Sequence, residues 1–588
     1  MKMRSAFSKF NEKMLSSREI SGIGMIGTMR LLRGKVAKGL NYIGRCLSYT
    51  STRAYGCFLL SFGMLSLILN FGEYYFMQSP EVHISEIIIS TALALISPLL
   101  FITDKPMCIA MQDFALTDRL FFEFLSIKRM HRNVTHASIS PLVAIFLGFL
   151  PAVVGFFVPL YIVVSVIVVG TCVAIAFTSP EFSMIASLLL LPYVPAIPHS
   201  VLLLCSISTL TFLSYALKVV LGKRTFHLDY SSILIILASV LILIGGMVSD
   251  GDGALKTAAV FVILMLGGIP CANMIINRRL ADCAINAVIV SSVPITVLSI
   301  IEAIVESSYT GFTPPSYSTP GISALFSTPA ALAAFLLVSA ISNLIFAKEK
   351  RNTAKKSFYY VMFALEIAVL AAIALPEIWL VAVVAVLASP LVKSRRIPLE
   401  ILALLIILPM ALLLFPNSVL DEISGYFEVA AFSDRIAGYK ESIDVFLDNA
   451  WLGIGMSADA YRDAAVSDTG GIFNTLLAVA VENGAIVLAL FAALVMIRLR
   501  HISYYRAYMR ASLVSVSCEL TAVAIVILLA LGSFENIFAD VTVHYLFWVV
   551  FGISSAALRT ARREHDDLLG YYGDSRSSES AALDVETL

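Results

Sequence analysis

The chain has 588 residues, 59% of them hydrophobic and 14% charged, and a mean hydropathy of +0.88. Soluble domains carry about a quarter charged residues, so this composition excludes a nucleic-acid binder, a disordered protein and a soluble enzyme on one membrane anchor. It fits a polytopic membrane protein whose bulk lies in lipid. The 41 basic and 41 acidic residues cancel, and it is their placement along the chain that carries information.

Residues 1–53 hold eleven Lys/Arg against Glu12 and Glu19. The first apolar run starts near Tyr55, too far in for a cleaved leader, so this segment is expected to be a retained basic tail. Runs long enough to cross a bilayer follow at 55–72, 84–103, 141–157, 159–177, 182–197, 199–220, 230–248 and 254–274. Eight more fall at 283–305, 327–346, 358–375, 378–392, 398–415, 472–496, 511–531 and 541–558. The expected fold is an all-α transmembrane helix bundle of about 14–16 spans, because the shorter runs could be tilted or re-entrant. The parts are a basic tail (1–53), N-terminal helices (54–180), a core (181–415), an exterior loop (416–471), C-terminal helices (472–558) and a Ser-rich, acidic tail (559–588).

Charge placement sets the orientation. With the N-terminus inside and the spans alternating, the inner segments hold 36 of the 41 Lys/Arg, and the outer loops only Arg435, Lys440 and Arg462. That segregation predicts both termini on the cytoplasmic side. The eight cysteines form no CxxC pair and no Cys-His cluster at metal-ligand spacing. None falls in an exterior loop, so no metal, cofactor or external disulfide is expected.

Loop 416–471 is the largest polar segment between spans, with ten acidic residues and three basic ones. Ile436, Tyr439, Ile443, Phe446 and Leu447 recur at helical spacing. They predict a short amphipathic helix on the bilayer surface, capped by Ser433 or Asp434 and ended by Asn449 and Gly453. Arg435 then sits in its first turn, where the helix dipole disfavours a cation, which suggests an anionic partner. The turn Trp451-Leu452-Gly453-Ile454-Gly455 allows a close backbone approach with N–H groups turned to a ligand. Counting from Ile472, Glu482 lies about 15 Å into the membrane at helical rise, a depth at which an acid is a candidate functional group. A hydrogen-bonded structural acid is the competing reading there, and the favoured one for Glu366 and Glu519. The helices around the loop are expected to enclose an outward cavity with Asn474 and Glu482 in its floor.

These residues carry a resemblance. SDRIAGYKESIDVFLDNAWLGIGMSADAY, then FNTLLAVAVENG, resembles the signature of the O-antigen ligase and O-antigen polymerase family. SALFSTPAALAAFLLVSAISNLIFA at 323–347 is similar to another of its helices. The specific motifs cover about fifty residues, within a looser hydropathy match from 180 to 558. The resemblance implies an integral membrane glycosyltransferase of surface polysaccharide biosynthesis, in the bacterial plasma membrane. Its donor would be a polyprenyl-diphosphate-linked glycan and its acceptor an envelope lipid or glycan, with other polysaccharide-assembly proteins as partners.

Carried over by position, Arg435 matches the loop arginine that binds diphosphate, Gly453 and Gly455 the glycine turn, Asn474 the Asn of an HN pair, and Glu482 the acid that follows. Arg435, Asn474 and Glu482 are thus the expected catalytic set. Lys440, Gly453, Gly455 and Arg462 are the expected substrate-binding residues, with Lys256 able to add charge. Asp434, Asp459, Asp463 and His544 are candidate bases, although a histidine at a span end more often packs between helices. The chain departs from the pattern at Phe473, where the family has His, and at Leu375-Pro376-Glu377, in place of an arginine motif. Two alternatives stay open: a catalytically impaired homologue that binds lipid-linked glycan, and an exporter or other transporter.

Overall fold

The computed structural model describes residues 49–562 apart from 77–83, 119–138, 311–321, 350–352, 374–380, 382–429, 457–460, 462–471, 509–513 and a few shorter breaks. It also describes a three-residue strand, Arg18–Ile20, paired antiparallel with Phe226–Leu228. The expected spans 378–392 and 398–415 and the acidic tail lie outside these residues, as do the side chain of Arg435 and Phe473, Arg462, Asp459 and Asp463.

The rest is helical. In chain order the helices are α1 Thr52–Phe76, α2 Ile84–Leu100, α3 Pro141–Phe157, α4 Leu160–Thr178, α5 Pro180–Leu190, α6 Ser200–Val220 and α7 Tyr230–Val248. They continue as α8 Ala254–Met274, α9 Arg278–Thr310, α10 Pro329–Glu349, α11 Thr353–Ile373, α12 Ala430–Asp448, α13 Thr475–Tyr508, α14 Val514–Gly532 and α15 Val541–Thr560. Among the described residues nine helices are long and apolar enough to cross a membrane, and five shorter apolar helices accompany them. The protein is an all-α polytopic bundle. Each expected span within the described residues is matched by a helix.

The chain divides into two compact units. One comprises Gly22–Ser183 and Leu213–Arg224. Within it α1 packs against α2 and α3 around Phe62, Ala152, Leu160 and Val163. Small residues allow the approach: a Cβ at Gly148 would stand 2.1 Å from Ser61 Oγ, and one at Gly63 would stand 2.8 Å from Ala94 N. The outward face of α3 shows Leu142, Phe146, Leu150 and Phe157, an apolar surface suited to lipid rather than water.

The second unit comprises Met1–Ser21, Met184–Phe212 and Thr225–Leu588. Its centre is α10 and α15, whose apolar windows are 83% and 94% buried, against 33% for α11. α10 packs on α9, α11 and α14, and α13 packs on α7, α12 and α14. α8 meets α15 backbone to backbone, because a Cβ on Gly268 would lie 2.6 Å from Trp548 O and one on Gly552 2.5 Å from Gly268 O.

One end of this unit is tied by cations. Arg498, 2% exposed, donates from Nη2 to Ser231 Oγ at 2.7 Å and lies 3.5 Å from Asp229 Oδ2. Its guanidinium covers the Phe551 ring at 4.8 Å. Arg559 donates to the carbonyls of Ala272 and Ile275 at the end of α8, a favourable place for a cation. α13 therefore runs past the expected span 472–496 and is helical to Tyr508. The anchored Arg498 holds α13 against α7 and lets it continue past the apolar run.

Candidate functional site

At the opposite end of the second unit, the stretch with the family-like motifs folds into one interlocked piece. α12 runs Ala430–Asp448 and packs on α13. Val445, Tyr461 and Val481 form a small buried core with Phe446, Ile454, Ile472 and Leu477 around it, and Ser442 Oγ lies 3.0 Å from Tyr461 OH. The helix begins earlier than expected, so Ser433 and Asp434 are inside it and do not cap it. Arg435 is its sixth residue, in the second turn, beyond the strongest reach of the dipole. The expected C-terminal boundary holds: α12 ends at Asp448, and Asn449 Nδ2 donates back to Val445 O at 3.2 Å.

The glycine turn does not cradle a ligand with its amides. Gly453 N donates to Asn449 O at 3.0 Å, Ile454 N to Val481 O at 2.9 Å and Gly455 N to Glu482 O at 3.0 Å. In return Ala485 N donates to Ala450 O at 2.7 Å. These bonds form because α13 is broken at Gly484, with φ 80° and ψ 172°. The break frees two carbonyls that a continuous helix would use, and in the bilayer they must be satisfied by other protein groups. The turn at 451–455 supplies those groups and forms a clasp. Ser249 Oγ closes it from α7's end, donating to Ile454 O at 2.7 Å.

Asn474 and Glu482 have different environments. Asn474, 6% exposed, caps α13: its Oδ1 accepts from Leu476 N and Leu477 N, and its Nδ2 donates to Ser533 O at 2.8 Å. Its oxygen and one of its two N–H donors are thus engaged in structure. Since α13 starts at Thr475, Glu482 lies about 10 Å along it at helical rise, shallower than counted from Ile472. Its side chain is half-buried and makes no hydrogen bond or ion pair among the described residues. Lys440 is exposed on α12, and Lys256 is exposed in the first turn of α8. The adjoining Ala254 Cβ lies 3.7 Å from the position of a Cβ on Gly455. Trp451, 75% exposed beside the clasp, is the kind of residue that settles at a membrane–water interface.

Sequence reasoning missed the residues that join α13 to the 533–540 turn. Ser533 O accepts both Tyr439 OH at 3.2 Å and Asn474 Nδ2. Thr475 Oγ1 donates to Glu535 O at 2.9 Å and accepts from Ile537 N at 3.0 Å. Asp540 accepts from Thr542 N and Val543 N at the head of α15 and from Ser327 Oγ. An Asp just before a long apolar run is a capping signal, so Asp540 was findable. The shared Ser533 carbonyl left no mark in the sequence.

Beside this turn a pocket of about 240 Å³ is lined by Ser327, Thr328, Ile472, Glu535, Asn536 and Asp540, with Ala330, Ala331, Ile537 and Ala539. Its walls include neither Asn474 nor Glu482, the residues expected in the floor of an outward cavity. Hydroxyl, amide and carboxylate groups facing a space of this size can bind a hydroxyl-rich ligand. His544, a candidate base from the sequence, is packed between helices. It is 1% exposed, its Nε2 donates to Phe261 O at 3.2 Å, and its ring packs against Phe261 and Phe538 at centroid distances of 4.0 and 4.9 Å.

No model of a known protein family matches the chain, and no curated protein matches it.

Proposed function

We propose that this chain acts on a glycan carried by a polyprenyl diphosphate, transferring it to an acceptor hydroxyl at the membrane face that carries 416–471. The observation that carries the reading is the clasp. The separate parts of the resemblance, the arginine-bearing α12, the glycine turn and the Glu-Asn-Gly break, make one interlocked unit beside a polar pocket. In the transfer, the bond from the sugar's anomeric carbon to the diphosphate breaks as the acceptor oxygen attacks from the opposite face and gives its proton to a carboxylate, for which Asp434, Asp459 and Asp463 are the candidates. Arg435 stabilises the leaving diphosphate with a planar fork of donors, and Lys440 and Lys256 add positive charge. The pocket at Ser327, Asn536 and Asp540 receives a sugar.

A second reading has its own support. Asn474 is spent on capping, and the sequence has Phe473 where the family has His. Both facts favour a homologue that binds lipid-linked glycan without turning it over. One experiment addresses both. Arg435→Ala and Arg435→Lys are expressed in a strain lacking the protein, and polysaccharide length and yield are compared at matched protein levels. The expected result is loss of polymer with alanine and partial return with lysine, whose ammonium cannot make the bidentate contact. Unchanged polymer in the alanine variant removes direct catalysis and leaves the binding reading to be tested with the donor lipid.

A further inference from the structure

Glu366 lies far from the clasp in sequence and has no part in the proposed transfer, yet it is 0% exposed inside a helix that crosses the bundle. Three polar side chains from two neighbouring helices converge on it. Ser292 of α9 and Ser339 of α10 each place Oγ 2.7 Å from its Oε1. Asn343 of α10 donates from Nδ2 to its Oε2 at 2.8 Å. Ser339 Oγ also lies 2.9 Å from Ser292 Oγ. Asn343 is itself 0% exposed, and its Oδ1 has no hydrogen-bond partner among the described residues.

Among the described residues no cation is paired with this carboxyl. The charged groups of the packed helices sit near their ends: Arg279, Asp282 and Glu302 on α9, Lys348 on α10, Lys355 and Lys356 on α11. Lys356 is ten residues from Glu366, about 15 Å at helical rise. Glu302 is engaged elsewhere, accepting from Ser323 N and Ala324 N. Of the other titratable groups, Tyr359 donates to Asn286 Oδ1 at 3.0 Å, and Cys283 is buried near the start of α9. A carboxylate at this depth with only neutral donors is costly. A metal ion would need these oxygens spread around it, whereas they are in direct hydrogen-bond contact.

We infer that Glu366, Ser292, Ser339 and Asn343 form an intramembrane site that binds and releases one proton. The network satisfies both states. In the ionised state both hydroxyls donate to Oε1. On protonation, a hydronium ion gives its proton to Oε1 and leaves as water, and the new O–H donates to Ser292 Oγ. The Ser292 hydroxyl then turns to Ile289 O, already 2.9 Å away. A proton on Oε2 is accepted by Asn343 Oδ1 after a flip of the amide, whose oxygen and nitrogen are interchangeable in shape. The site joins α9, α10 and α11, so its charge state is coupled to the packing at the centre of the second unit.

The test is infrared difference spectroscopy on the purified full chain in lipid, wild type against Glu366→Gln, across a pH series in potassium and in sodium buffer. The expected result is a protonated-carboxyl C=O band near neutral pH that the Gln variant lacks. It should fade as pH rises, equally in both salts, and change frequency in Ser292→Ala. Carboxylate bands alone at every pH would overturn the inference. So would a protonated band that sodium displaces at constant pH, which would make the site a metal-ion site. If the Gln variant does not fold, Ser292→Ala and Asn343→Leu keep the acid in place, and an unshifted band in both would also overturn it.

Discussion

Gly453, Gly455 and Gly484 all have positive φ, at 71°, 89° and 80°, and each also meets backbone or a side chain at very short range. A Cβ on Gly453 would stand 2.5 Å from Glu482 C, and one on Gly484 2.2 Å from Trp451 O. Strain and overlap act together there, so Gly453→Ala and Gly484→Ala should each destabilise by more than about 1 kcal/mol. Gly72→Ala, with open space around its Cβ, is the control. Melting temperatures in one detergent test this, and three equal values would remove the clasp. The sequence showed these glycines but not their use, because a GxG turn has the same letters whether its amides face a phosphate or another strand of backbone.

The joint between α12, α13 and the 533–540 turn is held by short polar bonds, not by a large apolar face. Tyr439 and Asn474 reach the same Ser533 carbonyl from two helices. Replacing Asn474 by Ala should cost about 1 kcal/mol through the lost cap. Combined with Tyr439→Phe, it should show a coupling of at least about 0.5 kcal/mol in a double-mutant cycle. Strict additivity in urea or thermal unfolding would show that the two bonds act separately. The helices were legible from their apolar period, and the end of α12 from its Asn and Gly. The start of α12 was not, because Ala430, Ala431 and Phe432 continue a helix as readily as they precede one.

Across the whole chain, the charge segregation predicts that both tails face one side and 416–471 the other. Single cysteines placed in each segment of a cysteine-free background, labelled from either side of intact membranes, test it. Labelling of 393–397 from the same side as 416–471 would break the register. The unequal burial of the helices adds a second expectation. In hydrogen exchange on the full chain, α10 and α15, the most buried helices, should stay protected longest, and α11 should exchange before them. Simultaneous exchange of all three helices would contradict that order.

Span positions and fold class were readable without coordinates because lipid imposes a simple rule: every crossing needs about 20 apolar residues whose backbone bonds are internal. Charge placement obeys a similarly local rule. Which polar groups meet is a different matter, since it depends on helices distant in sequence arriving side by side. Glu366 looked like an ordinary structural acid until Ser292, Ser339 and Asn343 were brought around it. Glu482 looked like the centre of a site, but its backbone carbonyl engages the clasp while its carboxylate stays unpaired among the described residues. Asn474, expected in the catalytic set, caps α13, a role its sequence position did not announce. Apolar periodicity is written once per helix, whereas a site is written across several, and only their packing reads it out.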